Sequence, residues 1–410
     1  MPPAPVPHVV GEALADIARR EGIRNPKYHV DLGSGLADGF TSTVYRAVIT
    51  DEDAPEGSGA PLSLMCKTTQ NEAAVGHMFA RESCMYATVL PAFEEAGRLR
   101  PPLPWPRPYR VALAEPSAPL VVLQDLRPGG FRMADRRVPL DHEHCRRALT
   151  QLARFHGASM ALKTLRPDHL QAMHDRLGDP FRDIPQMAAG FAHFVQSVKD
   201  APDMLLDKFP EGSETRGKLK EIFTQCTEDV NRLWKNPDDD AGMGTLHGDC
   251  HINNLMFQYD EATGAVAGCR LIDFQLSRSG CTVWDLVSLL LPVTDRATRA
   301  AHWQGLLRHY HAELQATLRA AGCRDPDAVY SWDQLTHLLR WAAPYGLVYT
   351  PLLLHVLYAD EDMAKEIHED IGAMDKALPK PKDARAAKVH PEVKQRFGDL
   401  VQDLVDWGWL

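Results

Sequence analysis

Apolar residues recur at helical spacing from Val9 to Glu21, and Asn25-Pro26 breaks the run, so the chain is expected to begin with a helix. Three segments rich in β-branched and aromatic residues follow, at 28–32, 43–49 and 62–68. A glycine-rich turn separates the first two. Residues 51–61, rich in Asp, Glu, Gly and Pro, separate the second from the third as a solvated loop. Helix formers dominate 72–96, and past the proline-rich stretch 101–108 two more strand-like runs appear at 109–114 and 120–124. Three strands, a helix and two strands predict a small first lobe.

Residues 125–139, with Gly129-Gly130, read as a connector into a strongly helical segment at 141–162, for which Asp141 is the candidate N-cap. The rest is mostly helical except around 244–273, where two β-type runs, 255–258 and 269–273, bracket a turn at 261–268. The expected fold class is therefore α+β. Its first lobe covers 1–125, a connector 126–140, and a helical second lobe 141–410 with a short β-hairpin. No internal repeat is visible, and 376–387, rich in Lys, Pro and Ala, reads as a linker. The acidic stretch 360–370 reads as the solvated face of an amphipathic helix rather than a cation-attracting wall.

A chain of 410 residues is long enough for two lobes with their own cores, and 44% hydrophobic with 24% charged residues is the composition of an ordinary globular protein. The formal net charge of -10 opposes non-specific binding to nucleic acid or anionic lipid, which depend on positive patches. Eight cysteines without a CxxC pair read as reduced thiols. The start of the chain has no basic segment followed by an apolar core, and the apolar run 284–293 is cut by Asp285, Ser288 and Pro292. The expectation is a cytoplasmic protein with no nucleic-acid or membrane partner; its oligomeric state is not readable.

The candidate chemistry lies in Leu246-His247-Gly248-Asp249-Cys250-His251-Ile252-Asn253-Asn254-Leu255-Met256-Phe257. Phosphoryl transfer needs a carboxylate to orient or deprotonate the attacking hydroxyl and oxygen ligands to hold Mg²⁺ against phosphate. Asp249 suits the first task and Asn254 the second. Asp273, which closes the apolar run Leu271-Ile272, would reach the same place if the two short strands form a hairpin. Zinc bound by His247 and His251 requires a helix, which Gly248, Asn253 and Asn254 disfavour. The cluster Asp141-His142-Glu143-His144-Cys145 reads as a solvated helix start, and Cys250 as a packing residue. Asp285 has two readings of equal weight, a helix N-cap or an anchor for the Asp249 loop backbone.

These motifs, with Ile272-Asp273-Phe274-Gln275, resemble the aminoglycoside phosphotransferase and choline kinase superfamily, and within it most the ecdysteroid-kinase-like branch. The resemblance runs from about Gly33 to Leu291. It implies a bilobal protein-kinase-like fold, ATP and Mg²⁺ as cofactors, Asp249 as catalytic base, and Asn254 and Asp273 as metal ligands. In the first lobe it implies nucleotide contacts from the glycine turn (Gly35, Gly39, Ser42), from Lys67 paired with Glu82, and from backbone groups of Gln124, Asp125 and Leu126. Two departures are His251, where the branch often has Trp, and Gln124, where Glu is more usual.

The implied activity is transfer of phosphate to a hydroxyl of a bulky, mainly apolar alcohol such as an ecdysteroid. Alternatives are choline, ethanolamine or aminosugar acceptors, or a pseudokinase that only binds nucleotide. The absence of Asp-Phe-Gly and Ala-Pro-Glu segments argues against a protein substrate. Trp303, Trp341, Tyr345 and Tyr349 are expected around the acceptor, because the superfamily builds that pocket from late helices. The stretch 341–354 carries no carboxylate, which favours an apolar acceptor over a polycationic one.

Overall fold

The computed structural model describes residues 6–33, 43–55, 60–68, 72–111, 119–238, 240–360 and 390–410, the side chains of 72–75 excepted. The first lobe is built on a five-stranded antiparallel sheet in the order β1-β2-β3-β5-β4. Its strands are β1 (Pro26–Leu32), β2 (Thr43–Asp51), β3 (Leu62–Thr68), β4 (Pro108–Val111) and β5 (Leu120–Gln124). Alternation along β2 sends Tyr45, Ala47 and Ile49 to one face, where they join Leu64 and Cys66 of β3 and Leu120 and Val122 of β5. Helix α1 (His8–Arg20) covers that face with Val10, Leu14 and Ile17. The opposite-facing Val121 and Leu123 of β5 pack into the main core with Phe79, Met85 and Val89, so β5 is buried on both sides.

The long helical run after β3 is not one regular helix. It divides into α2 (Glu72–Cys84), a π-helical turn at Met85–Val89 and α3 (Leu90–Ala96). Pro91 accounts for the break: it has no N–H, and its ring crowds the carbonyl four residues earlier, so the Leu90 N–H bonds to Met85 O instead.

The connector after β5 contributes a strand, β6 (Phe131–Met133), which the sequence pattern did not reveal. It pairs with β8 (Leu255–Tyr259), which pairs with β9 (Val266–Leu271). Two further short strands, β7 (Met243–Leu246) and β10 (Arg278–Cys281), pair antiparallel with Leu246 opposite Arg278. The order β7, loop, β8, turn, β9, loop, β10 therefore sets loops 247–254 and 272–277 side by side. Around them pack α4 (His142–Leu165), capped by the Asp141 carboxylate on the His144 N–H, then α5 (Pro167–Leu177), α6 (Pro180–Asp183), α7 (Pro185–Ser197) and α8 (Glu214–Glu228). Helices α9 (Val283–Val293), α10 (Arg296–Ala321), α11 (Pro326–Val329), α12 (Trp332–Leu357) and α13 (Pro391–Asp406) complete the lobe. The stretches 361–389 and 34–42, with most of the acidic run, the linker and the glycine turn, lie outside the described residues.

Candidate active site

The loop carrying Asp249 is held from below by one buried carboxylate. Asp285, in the first turn of α9, accepts hydrogen bonds from the His247 N–H (Oδ2, 2.7 Å) and the Gly248 N–H (Oδ1, 3.0 Å). Its Oδ2 is also 2.9 Å from His156 Nε2, and the other nitrogen of that buried ring meets Tyr310 OH at 2.8 Å. Burial opposes the charge on Asp285, but its bond to His156, the nearby His247 and the Gly248 N–H together keep its pKa below the ordinary value. Of its two sequence readings, the anchor is the observed one; the N-cap of α9 is Thr282. Gly248 is required twice over: its φ is +85°, and a Cβ there would come within 2.1 Å of Leu276 O.

The two loops are stitched together. His247 Nε2 donates to Ile272 O (3.0 Å), the Ile272 N–H to Asn254 O (3.0 Å), and Ser277 Oγ to His247 O (3.0 Å). His247 is fully buried against the Phe274 ring, and burial pushes its pKa down, which favours the neutral imidazole that donates to Ile272 O. Asp273 lies two residues beyond the end of β9 rather than at the strand end. Its φ of +66° places it in the left-handed region, a turn that aims its carboxylate out of the hairpin.

Lys67 Nζ sits 2.8 Å from Glu82 Oε2 and 2.8 Å from Asp273 Oδ1, uniting β3, α2 and the second loop. Burial alone would depress Lys67, but the Asp273 and Glu82 charges prevail and hold its pKa above the ordinary amine value. Burial raises Glu82, with Lys67 opposing it.

Asp249 receives 3.0 Å and 2.8 Å hydrogen bonds from Asn254 Nδ2, at its Oδ2 and its own carbonyl, and His251 Nε2 stands 3.2 Å from Oδ1. Burial opposes its charge, but His251, His247 and Asn254 outweigh that and keep the carboxyl below its usual range. The Asn254 amide is thereby oriented with its nitrogen on Asp249, which turns its Oδ1 away from that carboxylate. Cys250 is buried, and burial pushes its thiol well up, so it packs and does not react.

A model of the ecdysteroid kinase-like family matches residues 36–323, more than half of the chain. The chain belongs to the ecdysteroid kinase-like family. No curated protein matches it. Family membership agrees with the mixed α+β, kinase-like fold, and places the protein among kinase-type small-molecule phosphotransferases.

In this ecdysteroid kinase-like protein a cavity of about 80 Å³ opens beside Asp249. Phe181 and Trp234, stacked at 4.4 Å, line one side with Phe191; Trp284, Tyr345 and Tyr349 line the other, and Arg278 lies between. Gly346 lets α12 approach α9 here, since a Cβ would lie 2.4 Å from Val287 Cγ1. Tyr345 and Tyr349 line this cavity beside Asp249. Trp341 is not a wall residue: it stands behind, against Trp284 at 5.5 Å. Trp303 is a correction. It is buried on another face of the lobe, stacked on Trp407 at 4.8 Å and near Trp409 at 6.2 Å, because its side of α10 faces the end of the chain. Phe181, Phe191, Trp234 and Arg278 were not anticipated.

Of the nucleotide candidates in the first lobe, Gly35, Gly39 and Ser42 lie outside the described residues. Asp125 is buried with its carboxylate committed to Arg46, Arg127 and Ser63, the Gln124 and Asp125 N–H groups donate to Arg107 O and Ser63 O, and Leu126 O accepts from the Gly129 and Phe131 N–H groups. Among the described residues no cluster of three or more His, Cys, Asp or Glu forms a metal cage, and no helix is long and apolar enough to cross a membrane.

Proposed function

We propose that the protein transfers the γ-phosphoryl group of ATP to a hydroxyl of a bulky, mainly apolar alcohol, of which an ecdysteroid is the representative. The observation that carries this reading is the meeting of Asp249 with an aromatic cavity on one side and the Lys67, Asp273 and Asn254 set on the other. That donor set fits Mg²⁺, which takes few protein oxygens and draws the rest from phosphate and water. Asp273 and Asn254 Oδ1 would hold the ion, which would neutralise charge on the triphosphate. Lys67, kept cationic by its two carboxylates, binds phosphate oxygens.

Asp249 accepts the proton of the acceptor hydroxyl while the hydroxyl oxygen bonds to the γ-phosphorus. The bond from that phosphorus to the β–γ bridging oxygen breaks, and ADP leaves. The His251 N–H and Asn254 Nδ2 hold the carboxylate ionised and aimed. Cavities for small molecules usually measure roughly 300–1,000 Å³, so the 80 Å³ here would take the reacting end of the acceptor. The aromatic walls bury an apolar skeleton without needing charge. Eight buried free thiols agree with a reducing compartment, the cytoplasm.

Asp249→Asn is expected to cut phosphoryl transfer by about 10²–10⁴-fold with nucleotide affinity retained, because it removes the base and spares the phosphate contacts. Turnover comparable to that of the unaltered protein would overturn the assignment. For the acceptor, an ecdysteroid, choline and an aminosugar compete at equal concentration. A win for either cation would overturn the apolar-alcohol reading and leave the kinase reading standing.

A further inference from the structure

Arg278 is only 6% exposed, yet among the described residues it has no carboxylate within ion-pair distance. Other buried arginines have carboxylate or carbonyl partners, although Arg81 Nε and Arg299 Nη2 are left without one. Arg299 pairs with Asp403 at 2.7 Å, Arg216 with Asp203 and Glu211, and Arg81 donates to two backbone carbonyls, Leu177 O and Gly178 O. Arg278 donates one hydrogen bond, Nη1 to Leu276 O at 3.2 Å, and its guanidinium carbon lies 5.1 Å from the centre of the Phe181 ring. A Cβ on Gly248 would be 2.8 Å from Nη1, so the group sits one residue from the proposed base, and it lines the same cavity. A guanidinium has five N–H donors, and the bond to Leu276 O uses one of them.

We propose that Arg278 is a specificity determinant: it selects acceptor alcohols that carry a carbonyl-type oxygen, as a ketone or amide, over alcohols of the same shape that lack one. This rests on the kinase reading above and narrows its acceptor class. Such an oxygen receives the spare N–H donors of Arg278 while Phe181, Trp234, Trp284 and Tyr345 bury the skeleton.

The test uses a matched pair of benzyl alcohols with one variable substituent, 4-acetyl or 4-isopropyl. The unaltered protein is expected to phosphorylate the acetyl compound with kcat/KM at least tenfold above the isosteric isopropyl compound. In Arg278→Met the acetyl-to-isopropyl ratio should collapse to within threefold, and in Arg278→Lys it should fall part of the way. Equal rates for acetyl and isopropyl in the unaltered protein would overturn the proposal without any variant. If Arg278 instead serves the phosphoryl group, Arg278→Met will slow every alcohol and the hydrolysis of ATP equally and leave the ratio intact. If it only braces the loop, stability will fall with the ratio unchanged. Either outcome overturns the proposal. Calorimetric binding of the same pair without nucleotide reads the preference independently of phosphate transfer, so a failed kinase reading is distinguishable from a failed Arg278 reading.

Discussion

Asp285→Asn is the sharpest test of how the catalytic loop is held, because it is isosteric and removes only charge and one acceptor. Oδ2 accepts from the His247 N–H and faces His156 Nε2, and Oδ1 accepts from the Gly248 N–H. All of these are buried. Asparagine has one carbonyl oxygen and one NH₂, so whichever way it turns, a backbone N–H faces another donor. Leaving one buried donor unsatisfied costs about 1–3 kcal/mol, and the bonds that survive change from charge-assisted to neutral, roughly half as strong. We expect a loss of about 2–4 kcal/mol in a urea denaturation series. In the fraction still folded, kcat should fall about tenfold or more, since Gly248 positions Asp249 directly, while nucleotide affinity changes little. Asp285→Ala should be worse, because it strands His156 as well. A variant Asp285→Asn with the original urea midpoint and kcat would refute the reasoning.

Asp273→Asn keeps a residue tolerant of the left-handed turn but removes the full charge, so Mg²⁺-dependent nucleotide affinity should fall about 10–100-fold; superimposable Mg²⁺ titrations would exclude it as a ligand. His174, half-buried with Nε2 2.8 Å from Thr245 Oγ1, is held down at about 4, chiefly by loss of solvent. A folded value below the unfolded one, about 6.5, gives stability that is present above 6.5 and lost as pH falls toward 4. It is worth at most about 3 kcal/mol. His174→Gln should therefore flatten the decline in urea midpoint between pH 6.5 and 4.5, and parallel profiles would count against it. Tyr345→Ala, at the cavity wall, should raise KM for the alcohol several-fold and leave KM for ATP unchanged, as steady-state kinetics on each substrate will show.

The residues around Asp249 were legible because they are close in sequence. Asn254 is five positions on, and Asp273 needs only the β8–β9 hairpin to arrive, so local pattern sufficed. The bounds of β3 and β5 were read correctly because apolar runs end there against loop residues. In contrast β6, β7 and β10 are three or four residues long, too short for any period to register, and β7 and β10 contain glycine. The cavity wall was only half readable. Tyr345 and Tyr349 share one face of α12, but Phe181, Phe191 and Trp234 come from three separated elements that only tertiary packing assembles. Trp303 was misread because an aromatic in a helix carries no mark of which neighbour it faces. Arg278 could have been noticed as the cation five residues after Asp273, but nothing in the sequence says that it has no carboxylate within ion-pair distance.

The left-handed backbone at Asp273 has an evolutionary consequence. Few residue types tolerate that conformation; aspartate, asparagine and glycine do. Asparagine and glycine codons are each one nucleotide change from aspartate, and neither would disturb the turn. The fold therefore offers no resistance to loss of this carboxylate: a gene copy freed from selection for chemistry could drop it and still yield a well-folded protein, with Lys67 retaining Glu82. Descendants of this gene that keep the architecture and lack the charge would be an expected product of duplication, and position 273 is the first place to look for them.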